Sequence, residues 1–394
     1  MNERLRNGLL NLGLVVASVV VFLVVLEGYF AVFNPQITEV KYPDTFVADE
    51  TLGWIHKPNT EGIFASSEFT THIKINSKGL RDREYNYNKP DGIKRIIVLG
   101  DSQTEGWGVE DGERFTEVLE DSLLKDVQVI NMGVWNYGND QELLTLKNEG
   151  VKYNPDLVIV AFSCNDIVDN MNSDNNMFVL NADNELILTN ISVSRKSDAS
   201  DNQNNLFVTF QRFFQKYSHT YHFAFNRLLT NPIGKNLLVT LIAKLGLTEI
   251  YTQWYNLFSN TYTPEVQYGC NLTKAILKEI DVVAKENNAK TLIVLTTRQF
   301  QVYYDTWREA AGKVGITTQF CNISKPNDLI VEFGKKNDIL VLDLLPEFRE
   351  HAENGEQLHF YKDGHWNANG HKLAAELIYD KLIEEQLIPL GGEH

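Results

Sequence analysis

The residue pattern predicts an α/β fold, a parallel five-stranded sheet covered by helices on both faces. Three observations carry that expectation. From residue 94 onward, short apolar runs alternate with helix-patterned stretches. The runs are continuously apolar rather than alternating, as strands buried on both faces are. Composition agrees, since 43% apolar and 11% aromatic residues in 394 provide ample core material and exclude a disordered chain.

Residues 8–33 come first and differ in kind. This stretch is apolar except for Asn11, Ser18 and Glu27, and it is long enough to cross a bilayer. Arg4 and Arg6 precede it, so the positive-inside bias places residues 1–7 in the cytoplasm and the rest of the chain outside, periplasmic or extracellular. A cleaved signal peptide is the competing reading. The length of the stretch and the lack of a small-x-small site favour an uncleaved anchor. Glu27, near the outer end, is expected to snorkel to the interface, with a helix–helix contact as the alternative.

Residues 34–90 read as a linker and a small β-module. The linker has two prolines, and in THIKINSKGL Ile73 and Ile75 alternate with polar residues before a turn at Gly79. The main domain spans 91–388. Its strands are IIVLG (96–100), VQVINMG (127–133), DLVIVAFS (156–163), KTLIVLTT (290–297) and DILVLDLL (338–345). Helices are expected at 112–124, 139–150, about 271–287 and 370–386. An insertion occupies about 167–265. Its first part is rich in Asn, Ser and Asp and reads as loop, and its second carries Phe210, Phe213, Phe214, Tyr217 and Tyr221 at helical spacing. That stripe reads first as core packing, with a lid, acyl pocket or membrane-facing patch as the alternative.

The net charge of −16 argues against nucleic acid as a partner, because phosphate binding needs clustered Lys and Arg. Cys164, Cys270 and Cys321 show no metal spacing, and their odd number excludes complete pairing. A Cys270–Cys321 bridge remains open on sequence grounds. His359, His365 and His371 recur every six residues, which is no helical face, so no metal is expected, and no cofactor either.

Chemistry enters at the strand tips, where open parallel sheets bind ligands. Ser102 follows the first strand, Gly133 ends the second, and Asn165 follows the third. A serine there is exposed to a ligand, a glycine lets one approach its N–H, and an asparagine can donate to an oxyanion. Each also has a local structural use, as a cap or turn. Far along the chain, His365 offers a base, with Asp363 near enough to orient it. Nucleophile, base and orienter are the parts of a serine hydrolase.

These blocks together, Ser102 in GDSQT, Gly133 in NMGVWNYG, Asn165 in CND and His365 in DGHW, resemble the SGNH (GDSL-type) hydrolases. The resemblance covers about 90–388. It implies a flavodoxin-like three-layer α/β/α fold, Ser102 as nucleophile, His365 as base and Asp363 as orienter. It also implies an oxyanion hole from the N–H groups of Ser102 and Gly133 and the Asn165 side chain. Two blocks depart from the family pattern: Ser163 replaces the usual glycine of the third, and the last is Asp-x-His rather than Asp-x-x-His. The shorter spacing is similar to membrane-associated, alginate-type polysaccharide O-acetyltransferases and their relatives. Arg81 and Asp82, upstream, read as a structural salt bridge.

The expected activity is an anchored ester hydrolase or acyl transferase working through an acyl-enzyme on Ser102. Its expected partners are acylated envelope or extracellular glycans. A lipid or thioester substrate is the first alternative, and a non-catalytic glycan-binding or assembly protein is the second.

Overall fold

The computed structural model describes residues 3–34, 44–171, 177–189, 218–221, 223, 256–313 and 321–388. The chain divides into two units, residues 1–41 with 195–245 and residues 42–194 with 246–394.

The first unit contains the helix Glu3–Phe33, in which an 18-residue window within Arg6–Phe33 has a mean hydropathy of 2.9. It is long and apolar enough to cross a membrane. Glu27 follows the alternative of a contact with another helical segment rather than snorkelling. Its carboxylate accepts from the Ser218 hydroxyl at 2.7 Å and from the His219 and Thr220 N–H groups at 2.6 and 3.0 Å. Three converging donors at the start of a helical turn hold the charge in place, and Phe30 stacks on Phe223 one turn further on. Of the aromatic stripe, only Tyr221 lies among the described residues.

The second unit opens with two antiparallel hairpins, β1 (Phe46–Asp49) with β2 (Gly53–His56) and β3 (Glu61–Ala65) with β4 (Thr70–Lys74). Ile73 and Ile75 are buried as their alternation predicts, in a cluster with Phe64 and Trp107. The main sheet follows, with β5 (Lys94–Gly100), β6 (Val127–Asn131) and β7 (Leu157–Phe162). After a short hairpin of β8 (Phe178–Leu180) and β9 (Leu186–Leu188) come β10 (Lys290–Leu295) and β11 (Leu340–Asp343). The sheet order is β11-β10-β7-β5-β6, and every pair is parallel.

Side chains of each strand go alternately to two cores. Ile97, Leu99, Ile130, Val158, Val160 and Ile293 meet helices Asn139–Asn148, Pro264–Glu286 and Lys325–Asn337 on one face. Ile96, Val98, Val129, Leu157, Ile159 and Leu292 meet Phe115–Val118, Leu345–Glu353 and Ala368–Glu384 on the other. Each of these buried aliphatic side chains contributes about 1.5–3 kcal/mol, which is why the runs are apolar at every position. The result is the expected three-layer fold, in flavodoxin-like strand order with the switch between β5 and β7.

Several ends are shorter than the hydrophobic runs. The helix expected from 112 begins at Phe115 and finishes as a wider π turn over Leu119–Leu123. β10 stops before Thr296 and Thr297, whose hydroxyls bond Phe162 O at 3.1 Å and the Trp366 indole at 2.9 Å. Cys164, Cys270 and Cys321 are all free thiols, so the Cys270–Cys321 bridge is not formed.

Candidate active site

β5 delivers the chain to the switch point, and Asp101 starts a one-turn helix there, its Oδ1 accepting from Gln103 N at 2.9 Å. Ser102 is the first residue of that turn, and its Oγ lies 2.8 Å from His365 Nε2. His365 Nδ1 lies 2.5 Å from Asp363 Oδ1. A carboxylate at Nδ1 keeps the proton on that nitrogen, which leaves Nε2 as an acceptor facing the serine hydroxyl.

The Asp-x-His spacing works because of the residue between. Gly364 has φ +87°, and its N–H returns to Phe360 O at 3.1 Å while Phe360 N bonds His365 O at 2.8 Å. This tight turn folds the Asp363 carboxylate back beneath the imidazole two residues on. The Trp107 indole N–H donates to the other carboxylate oxygen at 3.2 Å. Burial pushes the Asp363 pKa up, but the bonds from His365 and Trp107 outweigh it and hold the group below its usual range.

Two of the expected oxyanion donors hold internal partners. Gly133 sits in the loop after β6, and its N–H donates to Asn131 Oδ1 at 2.9 Å. Its lack of a side chain serves packing, since a Cβ would lie 2.4 Å from Glu105 N and 2.6 Å from Thr104 Cβ. The absent side chain lets this loop rest on the Ser102 turn. Asn136, later in the loop, is exposed and left-handed at φ +61°. Asn165 follows β7 as expected, and its amide donates to Asp101 Oδ2 at 3.2 Å and Asp169 Oδ2 at 2.9 Å. Its Oδ1 accepts from Arg298 Nη2. Burial raises the Asp169 carboxyl to about 7, the Asn165 bond opposes this, and the Asp101 charge adds to it.

The other singled-out residues are structural. Ser163 donates its N–H to Asp166 Oδ2 at 3.0 Å. His371 is fully buried, accepts from Phe115 N at 3.3 Å and is pushed down to about 3 by burial. His359, also buried, is likewise pushed to about 3. Arg81 is less an ion pair than a carbonyl clamp. It donates to Gly106 O at 2.6 Å and Val109 O at 2.7 Å, with Asp111 at 3.9 Å. Asp82 accepts instead from Asn131 N at 2.8 Å. Among the described residues no group of three or more His, Cys, Asp or Glu gathers to hold a metal ion.

Sequence reasoning missed Arg298, Trp107 and Glu68. Arg298 had a signal, since it lies just past the fourth expected strand, where the strand-tip rule applies as it does to Ser102. Trp107 and Glu68 had none, because their partners are more than 250 residues away.

The family model described as GDSL-like Lipase/Acylhydrolase matches residues 96–378. The chain belongs to this family. A GDSL-like acylhydrolase is a serine esterase, and the chain is therefore an enzyme of that type. No curated protein matches the sequence. Among solved structures, it is similar to an acetylxylan esterase from Geobacillus stearothermophilus, at 9% identity and TM-score 0.39, over 78% of this chain and 100% of that one. It is also similar to a GDSL-like lipase from Bacteroides thetaiotaomicron, at 13% identity and TM-score 0.36, over 76% and 92%. Around the triad of this acylhydrolase lies an aromatic stack. Trp107 faces the His365 ring at 5.5 Å and Trp135 at 5.9 Å, nearly parallel to the latter, and the Trp135 ring is 37% exposed.

Proposed function

We propose that this acylhydrolase is anchored by its N-terminal helix and acts outside the cytoplasm on acyl esters of glycans, O-acetyl groups foremost, through an acyl-enzyme on Ser102. The observation that carries the reading is the run of contacts Ser102 Oγ, His365 and Asp363 at 2.8 and 2.5 Å. Ser102 attacks the ester carbonyl as Nε2 of His365 takes its proton. Asp363 stabilises the imidazolium, which then protonates the leaving alcohol. Water or a sugar hydroxyl accepts the acyl group by the reverse sequence.

The oxyanion forms beside the Ser102 N–H. Asn165 joins as second donor when the oxyanion displaces one of its two carboxylate acceptors. Gly133, packed against the Ser102 turn, is the third donor when its N–H turns from Asn131 Oδ1 to the oxyanion.

Glycan substrates are supported by Trp135, because an exposed indole near the base provides a flat apolar face for a sugar ring. Its main chain is held by Trp54 Nε1 at 3.1 Å and Glu105 Oε2 at 2.6 Å.

The test is mass spectrometry of acetylated oligosaccharides incubated with the full chain in detergent, beside p-nitrophenyl acetate turnover. Loss or transfer of acetyl groups is expected, together with abolition of both activities by Ser102→Ala. Equal turnover by Ser102→Ala and the parent would refute the nucleophile, and unchanged glycans with intact p-nitrophenyl acetate turnover would refute the substrate class.

A further inference from the structure

We propose that Glu68, in the loop of the β3–β4 hairpin, is a positioning residue that sets the Asp363–His365 pair by gripping the backbone of their turn. The proposal rests on Ser102, His365 and Asp363 acting as nucleophile, base and orienter.

Glu68 Oε2 accepts from Lys362 N at 2.8 Å and from Asp363 N at 2.7 Å. One carboxylate oxygen thus takes two consecutive main-chain donors, both charge-assisted, and the second belongs to the residue whose side chain meets His365 Nδ1. The carbonyls of the same turn are held from elsewhere. Gln299, beyond β10, donates its amide to Phe360 O at 3.0 Å and Tyr361 O at 2.8 Å. The turn is gripped by its N–H groups from the hairpin and by its C=O groups from the sheet.

The hairpin loop is itself held. Ser66 Oγ accepts from Glu68 N at 3.1 Å and Phe69 N at 3.3 Å. Phe69 packs against Phe360 at 4.8 Å and Phe64 at 5.1 Å, and Phe64 lies 4.2 Å from Trp107. Trp107 is the residue that donates to Asp363 Oδ2. The orienting carboxylate is therefore set by Glu68 through its backbone and by Trp107, which the hairpin supports, through its side chain. The parallel sheet positions Ser102, and the hairpin positions the residues that act on Ser102.

The bonds from Glu68 are solvent-exposed, so water replaces them at small cost to folding. Their loss frees the turn, and a displacement of about 1 Å in a catalytic group can cost about 100-fold in rate. A positioning role therefore separates rate from stability and from substrate binding.

The experiment compares Glu68→Ala, Glu68→Ser and Glu68→Gln in the full-length chain, by p-nitrophenyl acetate kinetics and thermal melting. The Ala and Ser variants are expected to lose at least about tenfold in kcat with KM within about twofold and the melting midpoint unchanged. Glu68→Gln keeps an oxygen that accepts both N–H groups and is expected to recover most of kcat. Ala and Ser variants with parental kcat, a loss confined to KM, or a Gln variant as slow as Ala would each overturn the proposal. If Ala does not fold, the Ser and Gln variants decide by the same criteria. Ser102→Ala is run alongside, and activity surviving there would overturn the triad itself rather than the role of Glu68.

Discussion

Asp363→Asn tests the site most sharply, because the structure dictates how it must fail. The aspartate accepts from His365 Nδ1 at Oδ1 and from the Trp107 indole at Oδ2. An asparagine has one oxygen to offer. If the oxygen faces His365, its NH₂ confronts the Trp107 N–H, donor against donor in a half-buried place. If the oxygen faces Trp107, the NH₂ requires an unprotonated Nδ1, the proton moves to Nε2, and the imidazole can no longer accept from Ser102. The second arrangement pairs both side chains and gives up only the 3.3 Å bond from the His365 main-chain N–H, so the variant settles there, at a loss of about 10³–10⁴ in kcat, or about 4–5.5 kcal/mol of transition-state stabilisation. Trp107→Phe removes the donor that enforces it. The double variant Asp363→Asn, Trp107→Phe frees the amide to turn its oxygen to His365, and avoiding a mispaired buried donor is worth about 1–3 kcal/mol. It is expected to be at least about fivefold faster than Asp363→Asn alone, a non-additivity that a double-mutant cycle on p-nitrophenyl acetate reads directly. A double variant slower than Asp363→Asn would refute the tautomer argument, and Asp363→Asn within tenfold of the parent would refute the orienter.

Two further predictions concern the support beneath the serine. Glu105 is buried, its Oε1 3.1 Å from His56 Nε2 and its Oε2 2.6 Å from Trp135 N. Burial raises its pKa, but His56, Arg81 and the Trp135 N–H together lower it beneath the ordinary 4.5. A carboxyl depressed in the folded state stabilises above its unfolded pKa, and the benefit is lost as pH falls through the folded value. Glu105→Gln should therefore cost about 1–3 kcal/mol at pH 7 and progressively less below about pH 4.5, as followed by melting temperature against pH; parallel curves for variant and parent would contradict the pairing. Gly133→Ala forces a methyl against Glu105 N and Thr104, so it should cost about 1–3 kcal/mol and slow turnover by displacing the Ser102 turn. A variant with parental melting point and rate would show that the loop relaxes freely.

Much of the fold was legible because it rests on periodicity. Strands β5, β7 and β10 are apolar at consecutive positions since both faces of the sheet are covered, and such runs are visible without coordinates. Their ends were less legible. Thr296 and Thr297 extend the β-branched run, yet their hydroxyls are committed to Phe162 O and Trp366. At the site, the strand-tip rule singled out Ser102, Gly133 and Asn165. It did not show that Gly133 also serves close packing, because a glycine required for packing looks the same in a sequence as one required for ligand approach. For Glu27 the choice between snorkelling and a helix contact was not legible, because the partners that hold it, Ser218 to Thr220, are about 190 residues away.

The linear order of residues by itself determined the layered α/β architecture and the apolar leading helix, and it singled out a serine, a histidine and an aspartate as candidate reacting groups. Those follow from local chemistry: side-chain hydrophobicity, turn formers, and functional groups of matching type. Only the tertiary structure decided which donors are available and what holds the aspartate. Glu68, Trp107 and Arg298 reach the site through hydrogen bonds to residues more than 100 positions away, and such a bond exists only once the chain has folded.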